Sequence, residues 1–70
     1  MIVGIADEER ADRLFGALAN STRRDIVRRT MVSEHSVSAL ARMYPMSFAA
    51  VQKHVVVLTR AGLVTKEARG

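Results

Sequence analysis

Apolar residues return along this chain at helical spacing, interrupted by short polar segments. Ala11, Leu14, Phe15 and Leu18 recur at i, i+3, i+4 and i+7, the pattern of one buried helix face. The spacing predicts a first helix from Asp7 to Ala19, with its acids at the N-terminal end, where the macrodipole favours them. Asn20-Ser21 supplies a break and an N-cap, and Thr22 to Thr30 then reads as an arginine-rich second helix with Ile26 and Val27 inward. Ser36 can cap a third helix, in which Val37, Leu40, Ala41 and Tyr44 repeat the rule until Pro45 ends it. Only Tyr44-Pro45-Met46 then separates this helix from Ser47, which can cap a fourth. So short a link forces a steep crossing and makes a helix-turn-helix. Gly62 reads as the C-terminal stop of helix four, and Leu63-Val64-Thr65-Lys66 has the composition of a short strand.

The fourth helix carries the chemistry. At about 100° per residue, Val51, Val55 and Leu58 fall within roughly 60° of one another and mark the buried stripe. Lys53 points away from them, Gln52 and His54 lie on the two flanks, and Ala49, Val56 and Arg60 share the outer face with Lys53. Small residues, one cation and hydrogen-bonding groups at the margins suit insertion into a DNA major groove. Taken alone, the three polar residues fit the wet side of an ordinary amphipathic helix somewhat better; the tight turn before it and the charge of the chain shift the balance.

That charge is uneven. Residues 1–12 hold four acids against Arg10, whereas residues 13–70 hold ten lysines and arginines against Asp25, Glu34 and Glu67. The excess favours a polyanionic partner, with solubilising surface charge as the plainer alternative. Seventy residues allow one small domain, which at this size buries only about 60% of the surface its unfolded chain exposes. With no cysteine there is neither a disulfide nor a thiolate metal knot, so oligomerisation is the expected supplement. No basic leader with a long apolar stretch opens the chain and no run approaches the roughly 20 apolar residues of a bilayer span, which gives a cytoplasmic reading.

Three segments together, LFGALANSTRRDIV, SVSALARMYPMS and VQKHVVVLTRAGLV, resemble the ArsR/SmtB family of bacterial winged helix-turn-helix repressors over about residues 13–68. The resemblance implies a mainly α fold, a winged helix-turn-helix DNA-binding domain of four helices plus the start of a wing strand, with the helix-turn-helix over about residues 36–61 of a single domain, 1–70. It also implies a homodimer on a pseudo-palindromic operator in double-stranded DNA. By position, Ser47 and Phe48 start the recognition helix, and Gln52, Lys53 and His54 fall where family members contact DNA. Gln52 is the base-contact candidate, because its amide donates and accepts together. Lys53 is the phosphate candidate. His54 is divided evenly between phosphate contact and packing. Phe48 departs from the family's polar or basic residue; lying about 60° from Val51 on the wheel, it can pack or touch a thymine methyl.

Arg23 and Arg24 sit in the first turn of helix two, where the dipole disfavours cations, so a compensating partner is expected: a DNA phosphate, or a carboxylate such as Asp25, Glu34 or one in helix one, with an ion pair expected for at least one. Arg28, Arg29 and Arg42 are generic electrostatic candidates, each read first as solvated surface. The family's metal-sensing branch carries Cys-x-Cys in helix three, where this chain has Ser36-Val37-Ser38, and hydroxyls do not replace thiolates for soft metals. No metal and no cofactor are expected. Leu63 to Ala68 looks like a first wing strand and Arg69-Gly70 like its turn, without a return strand, so the chain reads as the N-terminal part of a longer repressor. Association would then fall to helix one and Met1 to Ile5. The competing reading is a protein-interaction module on the same scaffold, with Val56 and Val57 as its support. An enzyme is not expected: there is no cysteine nucleophile, no glycine-rich phosphate loop and no opposed carboxylate pair, a chain this short leaves little room for a cavity of about 300 Å³, and Ser47 and His54 are two turns apart.

Overall fold

The computed structural model describes residues 8–66. These form four helices, α1 (Glu8–Leu18), α2 (Ser21–Val32), α3 (Val37–Ala41) and α4 (Phe48–Arg60), and the described residues are mainly helical. Each boundary has a local cause. Asn20, extended, caps α2 by accepting the Arg23 backbone N–H on its side chain at 3.1 Å. Ser36 does the same for Ala39 at 3.0 Å and Ser47 for Ala50 at 3.1 Å, so the serine caps read from the sequence are present. At the far end of α4, Gly62 N–H donates to the Thr59 carbonyl and Leu63 N–H to Leu58, both at 3.0 Å. This is a Schellman closure, which needs a left-handed residue after the cap. Gly62 supplies it at φ 76°, a conformation that strains any residue bearing a Cβ.

Four expectations are corrected. First, α3 stops at Ala41, three residues short of Tyr44, and the link to α4 runs over residues 42–47. Pro45 disfavours helical backbone at Tyr44 and has no N–H to offer the Ala41 carbonyl, so the chain unwinds through Met43 N–H to Leu40 O at 3.0 Å. Met46 N–H then donates to Tyr44 O at 2.8 Å, a tight three-residue turn around the proline. Second, α2 begins at Ser21 and continues to Val32, because the cap is Asn20 and nothing breaks the helix before Ser33. Third, Leu63 to Lys66 are not a strand: no strand occurs among the described residues, so there is no ladder for them to join. Leu63 and Val64 instead pack back on the core. The wing positions beyond Lys66 lie outside the described residues, as does Met1 to Ile5.

Fourth, α1 does not bury the face its spacing predicts. Its buried residues are Ala11 and Ala17, while Phe15 is 67% and Leu18 36% exposed. The apolar arc runs at about 100° per residue from Ala17 through Leu14, Leu18 and Ala11 to Phe15, some 160° wide. That is more than α2 and α4, the helices it packs on, can cover. The core itself joins Ala17, Ile26, Leu40, Val51, Val55 and Leu58. Ile26, Val51 and Leu58 are completely buried, and together they hold α4 by one stripe with its other face outward.

Candidate nucleic-acid interface

The core stripe of α4 fixes what the helix can present. With Val51, Val55 and Leu58 inward, Gln52 and Lys53 are exposed, and Phe48 and Ala49 stand exposed in the first turn. Phe48 and Gln52 lie about 40° apart on one flank of the helix, four residues and about 6 Å along it. Arg60 is exposed at the C-terminal end, where its charge also complements the helix dipole. Ser47 Oγ is committed as acceptor to the Ala50 N–H, which leaves its hydroxyl hydrogen free to donate outward.

His54 lies on the opposite flank and is half-buried. Burial pushes its pKa below the ordinary 6.5, and the positive charges of Arg23 and Lys53 push the same way. The imidazole is therefore held neutral at pH 7. Arg23, from the first turn of α2, is half-buried on this side, with its Nε shielded from solvent and without a protein hydrogen-bond partner.

The turn before α4 is tied down from α2. Tyr44 OH donates to Asp25 Oδ2 at 2.6 Å, and Arg29 Nε donates to the same oxygen at 2.8 Å. Arg28 approaches Oδ1 at 3.5 Å, and the Arg29 guanidinium lies 5.7 Å from the centre of the Tyr44 ring. The tyrosine hydroxyl first, and then Arg29, lower the Asp25 pKa from 3.8. This bridge holds the link at the foot of α4 to the second helix. Of the carboxylates offered as partners for Arg23 and Arg24, Asp25 is therefore taken by Arg28 and Arg29: residues three and four positions on share its helix face, residues one or two positions back do not. Arg24 finds its compensation elsewhere, donating from Nη1 to the Leu18 carbonyl at 2.6 Å, a free acceptor at the negative end of α1. The Asp25–Arg28–Arg29 spacing was visible in the sequence; the tyrosine 19 residues away was not, because the expected longer α3 placed it on a helix face.

A solvent-open cleft of about 760 Å³ separates the end of α2 and the following loop from residues 62–65. It is roomier than so short a chain suggested, and Thr30, Met31, Glu34, His35, Leu63 and Val64 line it. His35 Nδ1 is buried there without a protein partner. Among the described residues no group of three or more histidine, cysteine or acidic side chains is placed to hold a metal ion, and no helix is long and apolar enough to cross a membrane.

No protein-family model matches the chain. It is similar to the HTH-type transcriptional regulator Rv2034 of Mycobacterium tuberculosis strain H37Rv, with 44% identity over 59 residues. The match covers 84% of this chain and 55% of the relative, so the chain spans about half the length of the curated protein it matches. The likeness and the α3–turn–α4 arrangement together support a helix-turn-helix regulator.

Proposed function

We propose that this chain is a sequence-specific DNA-binding transcriptional regulator of the ArsR/SmtB kind, in which α4 enters the major groove and occupancy of a promoter represses transcription. The observation that carries the reading is the division of α4: one stripe wholly buried, the opposite face open and bearing an amide, a cation and small side chains. The similarity to a helix-turn-helix regulator supports it, and so does the basic excess over residues 13–70. Gln52 is the base reader, Lys53 a phosphate contact, and Ser47 and Phe48 meet the duplex at the N-terminal turn. His54, half-buried, serves by packing or by a phosphate contact.

The dimer belongs to the same proposal. Phe15 and Leu18 expose an apolar arc on α1 that a second copy would cover, giving two α4 helices for the two halves of a pseudo-palindrome. The winged form rests on the resemblance of VQKHVVVLTRAGLV to the family, with the helix-turn-helix over about residues 36–61 of one domain and a cytoplasmic site of action. Val56, 37% exposed, favours the rival protein-interaction module only weakly, since one apolar side chain makes no patch.

Titration of labelled duplex between about 50 and 200 mM salt separates the two readings. A DNA binder loses affinity linearly in log–log form, with a slope of about −0.9 per phosphate neutralised. Absent DNA affinity, together with salt-insensitive, saturable binding to a protein, would overturn the proposal in favour of the module.

A further inference from the structure

The first residue of α4 is an aromatic outside the buried core. Phe48 is 48% exposed and is not a member of the core cluster. Helix formation does not explain its presence, since aromatics are no better than average helix formers and the cap at this end is made by Ser47. Its place is informative. The N-terminal turn of a groove-entering helix is the part that reaches base edges. The apolar feature of a base pair in the major groove is the thymine C5-methyl, for which a phenyl ring is a fitting partner. Gln52 stands one turn further along the same flank, and its amide fits the N6–H and N7 of adenine.

Resting on the DNA-binding reading above, we infer that Phe48 is a specificity-determining residue that recognises a thymine methyl. With about 6 Å between the two positions and 3.4 Å between stacked bases, the thymine lies within about two base steps of the base read by Gln52. Each half-site therefore contains a thymine whose methyl, rather than its pairing, is read.

The test exchanges single thymines for deoxyuridine, which removes the methyl and leaves every hydrogen bond intact. The duplex is the one recovered by selection with the full chain, and affinities are measured for the native protein, Phe48→Ala and Phe48→Leu. One thymine per half-site is expected to lose about fourfold on exchange, the worth of one buried methyl-sized group. Phe48→Ala is expected to bind the thymine and deoxyuridine duplexes equally, and Phe48→Leu to keep part of the difference. The helical circular-dichroism signal should be unchanged in both variants, because the side chain is not part of the core. No thymine sensitive to exchange would overturn the inference while leaving DNA binding intact. An unchanged penalty in Phe48→Ala would assign the methyl to another residue and overturn it equally. Undiminished DNA affinity in Phe48→Ala with loss of self-association would place the ring in a protein contact. If no duplex is recovered at all, the DNA-binding reading itself fails and the inference with it.

Discussion

Two helices of this small domain leave part of their surface to solvent, and they do so differently. On α4 the hidden stripe is sharply drawn: Val51 and Leu58 are completely buried, Lys53 stands on the far side, and Gln52 shares one flank with the half-exposed Phe48. On α1 the division fails, because the apolar arc is wider than its neighbours can cover and Phe15 is left 67% exposed. An open face that carries an amide and a cation stays hydrated and remains available to a charged partner. An apolar one is costly to leave bare and calls for another protein surface. The domain thus carries two surfaces of different chemistry on helices that pack against each other, and the proposed function gives one to a nucleic acid and the other to a second copy.

That contrast can be broken from either side. The largest effect is expected inside: Leu58→Ala removes a fully buried anchor of α4 and should cost about 2–5 kcal/mol in urea denaturation, taking both surfaces with it. Next, Phe15→Ser should weaken self-association by about 2 kcal/mol or more in sedimentation equilibrium, the level of an aromatic hot spot, with little change in helical signal. An unchanged assembly would remove α1 from the interface. Gln52→Ala should cost about 1–3 kcal/mol on the preferred duplex and relax selectivity at one position, leaving self-association alone. Lys53→Ala should weaken all duplexes alike and flatten the salt slope by about one unit, so a sequence-dependent loss would contradict its phosphate role.

The smallest expected effect is on pH. The folded pKa of His54 is depressed, so the unfolded chain binds the proton more readily. Stability is then full above pH 6.5 and falls as pH drops through that value towards the folded pKa. Asp25 acts in the same direction at lower pH: its depressed pKa gives stability that is present above 3.8 and is lost as pH falls through the folded value. Thermal unfolding followed from pH 8 to pH 5 should show the first decline in the native protein and not in His54→Gln. A decline of equal size in both would assign it elsewhere.

Short-range chemistry was readable from the sequence and long-range coverage was not. Asn20, Ser36, Ser47 and Gly62 act within a few residues of themselves, and each sits where the sequence places it. The buried stripe of α4 was legible because its three apolar positions face one wheel sector with polar residues opposite. The spacing of α1 was just as regular, yet burial depends on what a neighbouring helix covers, and no spacing on α1 reports the reach of α2. Tyr44 shows a similar limit, since its periodicity fitted α3 until the proline behind it ended the helix and sent its hydroxyl to Asp25. Leu63 to Lys66 had strand composition, but a strand is a pairing, and composition supplies only one side of it. Of the candidate interface, the exposure of Gln52 and Lys53 was legible from wheel position, and the exposure of Phe48 required the folded chain.

The most direct measurement is selection from a random-sequence duplex pool with the purified chain at near-physiological salt, followed by sequencing of what is retained. The account predicts enrichment of an inverted repeat whose half-sites lie about 10 base pairs apart, or a multiple of that spacing. Retention without enrichment would reduce α4 to a basic surface, and retention of nothing would contradict a DNA-reading domain altogether.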